Sequence, residues 1–224
     1  MAALPNAPSA PVDLPFKYIG GDPGLDLVNT VDWTPRGPAE DRLTDYARLI
    51  RWAQGAGILP NEAAASLLAK ALRQPQEAAR ALRTGLQARG ILHRVFAVVA
   101  HGEPANAPLA ELNGLLARAL GRLHVAPPEG RRRRQPALRL AWRDLDASLD
   151  APVWPAVWSA ASLIVSEEAS QLRICGGEDC GWMYVDRSRN GLRRWCDMAT
   201  CGTIEKTRRR LERARRAGRR PRHH

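Results

Sequence analysis

Apolar positions recur at helical spacing through most of the first 172 residues. Tyr46, Leu49, Ile50 and Ala53 fall on one face of a helix that Thr44 would cap and Gly55 and Gly57 would stop. Pro60-Asn61-Glu62 opens a second helix with Leu67, Leu68, Ala71 and Leu72 inward. A longer one runs from Pro75 to about Ala100. Leu82, Leu86, Ile91, Val95 and Val98 make its stripe, and Arg80, Arg83 and Arg89 are expected in water. Leu109 to Leu120 forms a shorter helix through Leu112, Leu115, Leu116 and Ala119. From Pro152 to Leu172 the chain is apolar on nearly every side, which predicts a central core helix. Near the start, Leu27, Val28 and Val31 can share one helical face after turns at Gly20-Gly21 and Pro23-Gly24.

Two pieces break the pattern. Leu123 to Ala126 and Ala137 to Trp142 are short enough to pair as a hairpin across a long loop. That loop carries four consecutive cations, Arg131 to Arg134, which read most simply as a solvated stretch. Residues 1–15 hold Pro5, Pro8, Pro11 and Pro15 and read as a flexible leader with no basic start and no long apolar run. No segment reaches the roughly 20 apolar residues of a membrane helix. A cytoplasmic location and no membrane partner are the expectation.

Charge changes the picture. The 224 residues carry a net charge of +11, yet the first 186 hold 20 basic and 20 acidic groups. The last 38 hold 14 basic against 3 acidic. A neutral body with a cationic tail points to a polyanion.

The four cysteines are Cys175-x4-Cys180, then a spacer of fifteen residues, then Cys196-x4-Cys201. Two evenly spaced thiol pairs can close around one zinc ion, for which four thiolates at about 2.3 Å complete a tetrahedron. A reducing compartment favours this over two disulfides. A closed four-sulfur shell leaves no position for water, so the metal is structural, not catalytic. Gly176-Gly177 eases the turn inside the first pair. Between the pairs, Trp182 to Val185 predicts a strand, Asn190-Gly191 a hairpin turn and Leu192 to Trp195 the return strand, with Trp182 and Trp195 shielding the metal.

Cys180-Gly181-Trp182, Asp186-Arg187-Ser188-Arg189-Asn190 and Arg193-Arg194-Trp195-Cys196-Asp197-Met198-Ala199-Thr200-Cys201-Gly202 resemble the CGNR zinc finger family of bacterial proteins. Upstream, Gly20-Gly21 and Leu25-Asp26-Leu27-Val28-Asn29-Thr30 resemble the opening of the ABATE helical domain that precedes that finger. The likeness covers about residues 16–216. It implies a stress-responsive transcription regulator whose finger binds DNA and whose helical domain senses a ligand. Where the family has Asn-Arg after Cys-Gly, this chain has Thr203-Ile204. Thr203 can replace the Asn as an N-cap.

The fold expected is mainly α. A helical domain with a short β-hairpin spans 16–172, and a treble-clef or ribbon-like four-cysteine zinc finger with a basic helix spans 173–217. A disordered tail covers 218–224. In the basic helix, Ile204, Leu211 and Ala214 would dock on the finger. Candidate nucleic-acid contacts are Arg187, Arg189, Arg193, Arg194, Lys206, Arg208, Arg209 and Arg213, alongside the zinc ligands Cys175, Cys180, Cys196 and Cys201. DNA is the expected partner, with RNA or a ribosome-associated role as an alternative that composition does not separate. A second alternative is a small-molecule-binding helical domain for which zinc is only a staple. Asn29, Thr30, Asp32 and Trp33 would line its pocket, although Asn29 and Thr30 equally suit capping or bridging of helices. A small-molecule effector and a homodimer are both compatible with the helical domain. No His-Glu-x-x-His, phosphate loop or serine nucleophile motif appears, and His93 and His101 share a face only loosely, so no enzyme is expected.

Overall fold

The computed structural model describes residues 14–103, 106–127 and 138–218. The leader up to residue 13, Arg131 to Arg134 and the tail beyond Gly218 lie outside these residues.

A six-residue helix, α1 (Pro23–Val28), sits at the centre. Asp22 caps it by accepting from the Gly24 N–H at 2.7 Å, and Pro23 sets its first turn. Gly24 lets α1 touch α6 (Trp154–Ile164), because a Cβ there would meet the Ala160 methyl at 2.6 Å. Val31 leaves the helical face expected for it and opens a strand. β1 (Val31–Thr34) pairs antiparallel with β2 (Gly37–Asp41), with Trp33 opposite Pro38.

Four helices wrap this centre. α2 (Tyr46–Gly55) is capped by Asp45, not Thr44, since the Asp45 carboxylate accepts from the Arg48 N–H at 2.9 Å. Tyr46, Leu49, Ile50 and Ala53 are buried as their spacing requires. In α3 (Asn61–Arg73) Leu67 is buried, but Leu72 is 85% exposed on the last turn. α4 (Pro75–His101) buries Ala78, Ala81, Gly85, Ala88, Leu92 and Val95, a seam of small residues giving way to large ones. Of the expected stripe only Val95 is fully buried, and Leu82, Leu86, Ile91 and Val98 are half-buried beside the seam; small residues carry the closest approach, as at Gly85 against Leu49. Arg89 is not in water. It is 7% exposed, pairs with both oxygens of Asp41 and donates to the Thr30 hydroxyl at 3.0 Å. α5 (Asn106–Leu120) leads to β3 (Leu123–Ala126), which pairs with β4 (Arg139–Trp142) in the expected hairpin.

The long apolar helix expected over 152–172 is shorter. A 3-10 turn (Ala151–Val153) precedes α6, and α6 ends at Ile164. Ser166 turns to extended backbone while its hydroxyl donates to the Leu163 carbonyl at 2.8 Å. A second 3-10 turn (Glu167–Gln171) then delivers β5 (Leu172–Ile174), which pairs antiparallel with β6 (Met183–Val185). Leu172, Met183 and Val185 join the same hydrophobic core as α1, α2, α4 and α6. The cysteine-bearing segment is therefore rooted in the helical body.

Candidate metal centre and cationic helix

β5 and β6 bring the first knuckle into place. The Cys175 N–H donates to the Trp182 carbonyl at 2.8 Å, which extends the ladder by one rung. The Cys180 N–H returns to the Gly177 carbonyl at 3.2 Å and closes the loop. The second knuckle docks on the first through Gly176 N–H to the Arg194 carbonyl at 2.9 Å and Cys196 N–H to the Cys175 sulfur at 3.2 Å. Such N–H donors to sulfur stabilise thiolates and fix ligand orientation.

The return strand expected at Leu192 to Trp195 does not form. β6 takes β5 as its partner, and the 186–195 segment is a loop instead. Asp186, buried, accepts from the Ser188 and Arg193 N–H groups at 3.0 and 2.9 Å. Hydrogen bonding from the Ser188 side chain first, and then from these two N–H groups, holds its carboxyl below the usual range. Arg193 lies over the Tyr184 ring at 4.0 Å and donates to the carbonyls of Trp195, Ile19 and Cys196. The Tyr184 hydroxyl donates to the Arg193 carbonyl at 2.7 Å.

The fourth cysteine rides on a π turn (Met198–Gly202) that runs straight into α7 (Thr203–Gly218). Its cap is Asp197, which accepts from the Ala199 N–H at 2.9 Å and the Thr200 hydroxyl at 3.1 Å. Thr203 is not the cap, because the helical run has already begun; its hydroxyl donates to the Met198 carbonyl at 3.1 Å. An Asp immediately before Met198 was the available signal for this earlier start.

All four sulfurs lie within 4.8 Å of one another, and all four cysteines are free of disulfides. Cys180 to Cys196 is 3.7 Å and Cys196 to Cys201 is 3.6 Å. A regular tetrahedron with 2.3 Å metal–sulfur bonds has edges of about 3.8 Å. The cage thus has the dimensions of a zinc tetrathiolate. Its chemistry also asks for a cation. Neighbouring thiols, Cys175 first, push Cys180 and Cys196 up, burial pushes Cys201 up, and hydrogen bonds from Cys180 and Cys196 hold Cys175 down, so four adjacent thiolates do not coexist easily without a cation. A divalent ion stabilises all four. Trp182, Trp195, Trp33 and Ile19 pack around the cage.

The sequence-predicted cations separate into two groups. Arg187 is committed to Glu168, at 2.7 and 2.9 Å, and to the Gly21 carbonyl. Arg193 is committed to the loop described above. Arg208 pairs with Glu205 at 3.0 Å and with Glu178, which holds the first turns of α7 against the metal loop. Arg189, Arg194, Lys206, Arg209 and Arg213 are exposed or half-buried at the surface, and Arg194 lies over Trp195 at 5.3 Å. Ile204 and Leu211 do not dock; they are 65% and 55% exposed. Buried Glu205 takes the inward position instead, and every described side chain from Arg209 to Arg215 is exposed.

Asn29 and Thr30 face protein, not a ligand. Asn29 spends its amide on Met183, and the Thr30 hydroxyl donates to Leu27 and accepts from Arg89. Trp33 and Asp32 do border a cleft of about 230 Å³ beside Cys180 and Cys201. The Trp33 ring stacks on His93 at 3.7 Å, and its Nε1–H donates to the Val28 carbonyl.

The family model described as "Putative stress-induced transcription regulator", ABATE, matches residues 21–167, and the CGNR zinc finger model matches 171–216. The chain belongs to the ABATE family and carries a CGNR zinc finger. No curated protein matches it. The finger holds one structural zinc through Cys175, Cys180, Cys196 and Cys201. The ABATE segment and the finger are stitched together along one seam. Gly181 N–H donates to Trp33 O at 2.7 Å, Trp182 Nε1–H to Val31 O at 3.1 Å and Val185 N–H to Gly20 O at 2.9 Å. A Cβ at Gly181 would come within 2.9 Å of the Trp33 Cβ, so only glycine permits that approach. Long-range pairing of this kind leaves no periodicity in the sequence, which is why the seam is not legible there. Among the described residues no helix is long and apolar enough to cross a membrane.

Proposed function

We propose that this chain is a zinc-dependent, DNA-binding transcription regulator whose ABATE segment responds to a small-molecule effector. The observation that carries the DNA reading is α7. Lys206, Arg209, Arg210 and Arg213 stand at i, i+3, i+4 and i+7 on a helix whose side chains from Arg209 to Arg215 are exposed, so like charges share one face without carboxylate partners among the described residues. Phosphates relieve that repulsion. Sixteen helical residues span about 24 Å, and an α-helix fits the roughly 12 Å wide major groove. Zinc holds Cys201 in the turn that continues into α7, so the metal sets the direction of the cationic face. Arg189 and Arg194 extend the positive surface from the 186–195 loop. Arg187, Arg193 and Arg208 support this surface through their internal contacts.

Fluorescence anisotropy on duplex DNA across a salt series tests the reading. The logarithm of affinity should fall with the logarithm of salt with a slope steeper than about −4, at about −0.9 per phosphate contacted. A flat response refutes it. Structured RNA competing better than duplex DNA at equal salt would favour RNA as the partner.

A further inference from the structure

The body of the ABATE segment contains a second polar feature, which shares no residue with the surroundings of the cysteine cage. A cavity of about 230 Å³ opens between α4, α5 and the start of α6. Its floor is apolar, made by Leu115, Val153, Trp154 and Val157. Its rim is polar, with Thr84, Ser148, Asp150, Arg118 and Arg122. A second lobe of about 340 Å³ continues past Arg122, Ser148 and Asp150 toward Lys70 and Arg80.

Two features of the rim are out of balance. One carboxylate oxygen of Asp150, Oδ1, is buried and has no hydrogen-bond partner among the described residues. Buried polar atoms are almost always satisfied, because an orphaned acceptor has lost its water without gaining a donor. Asp150 as a whole is half-buried and borders both lobes, so it supplies the acid of the rim, with Oδ1 itself shielded from the cavity. Arg118 is exposed and makes no ion pair among the described residues. Arg122 lies over the Trp154 ring at 5.5 Å, and its ion pair is to the exposed Asp144 at 2.6 Å, which a competing anion can displace. The cavity thus combines a half-buried carboxylate, two guanidinium groups able to take an anion, and an apolar floor with one indole.

We infer that this cavity binds an apolar α-amino acid. The ligand's ammonium group meets Asp150, its carboxylate meets Arg118 and Arg122, and its side chain rests on Trp154, Val153 and Val157. Charges then balance locally, and the apolar floor is covered. Only the term effector rests on the regulator reading, since the ligand would act from the ABATE segment on the finger. Binding itself is independent of it.

Isothermal titration calorimetry of the zinc-loaded full chain, without DNA, separates the two. L-phenylalanine and L-leucine are the probes. Phenethylamine, which lacks the carboxylate, and 3-phenylpropionate, which lacks the ammonium, are the comparison arms. One equivalent of at least one amino acid should bind. Asp150→Asn and Arg118→Ala should each weaken it roughly 10-fold or more, as expected for loss of a charge-assisted hydrogen bond. Each comparison compound should be similarly weak. Arg118 is exposed, so its variant reads the site even if Asp150→Asn disturbs folding. The assignment fails if neither amino acid binds up to about 10 mM, a level that already reveals millimolar affinity. It fails equally if both variants bind as the native chain does, or if either comparison compound binds as tightly as phenylalanine. None of these outcomes touches DNA binding by α7, and loss of DNA binding leaves this site intact.

Discussion

Asn29 and Met183, 154 residues apart, exchange two hydrogen bonds. The Asn29 Nδ2 donates to the Met183 carbonyl at 2.8 Å, and the Asn29 Oδ1 accepts from the Met183 N–H at 3.0 Å. One side-chain amide thus imitates a strand and completes the outer edge of β6, whose other edge belongs to β5. Both groups are buried, Asn29 at 1% exposure. Asn29→Ala would orphan a backbone donor and acceptor together, so stability should fall by about 2–5 kcal/mol. Urea denaturation of the zinc-loaded chain measures this. A loss below about 1 kcal/mol would mean that water or a shifted strand replaces the amide.

Zinc removal should be felt well beyond the finger. Leu172, Met183 and Val185 belong to the helical core, and the Gly181–Trp33 and Trp182–Val31 bonds tie the knuckle to β1. Binding energy at the cage is thereby folding energy for the whole chain. Calorimetry should show one cooperative transition with metal, moved several degrees or more downward by a chelator or by Cys196→Ser. Two separate transitions, with that of the helical body unmoved, would contradict this coupling.

Asp26 and His93 make opposite contributions to pH dependence. Burial raises the Asp26 carboxyl to about 6 from an unfolded value of 3.8. Below about pH 4 both states hold the proton and Asp26 has no effect. As pH rises toward 6 only the unfolded chain ionises, so folding loses up to about 3 kcal/mol. Burial, and secondarily Arg94, lowers His93 to about 4 from 6.5. Its contribution is intact above about pH 6.5 and is lost as pH falls toward about 4. Asp26→Asn keeps an acceptor for the Gly20 N–H, bonded at 2.8 Å in the native chain. Relative to the native chain, it should be equal at about pH 4 and more stable above about pH 6, read by denaturant midpoints at each pH. An advantage constant across that range would exclude Asp26 as the titrating group.

Two classes of arginine in α7 should behave differently. Arg209→Ala with Arg213→Ala removes exposed cations, so thermal stability should hold while the salt slope on DNA shrinks by about 1.8. Arg208→Ala strands buried Glu205 and should cost about 1–2 kcal/mol, allowing for the partial exposure of Arg208. Thermal melts and anisotropy on the same variants distinguish the two roles. Equal loss of stability from both substitutions would remove the distinction.

Much of this protein is determined locally and can be read from the sequence. Periodic apolar residues place α2, α3, α4 and α5, since a helix buries one face about every 3.6 residues whatever packs there. The paired x4 spacings identify the zinc ligands, because four thiolates satisfy one ion irrespective of the surrounding fold. Tertiary structure decided the rest. Whether β6 paired with Leu192–Trp195 or with β5 depended on a segment the sequence reads as helix, and the shared core drew Leu172 into a strand. Arg89 looks like a wet helix residue until Asp41 arrives from a hairpin 48 positions earlier. The physical reason is range. Helical turns and metal spacing are satisfied within a few residues, whereas a buried charge or an open strand edge takes its partner from whatever distant backbone the collapsed chain brings beside it.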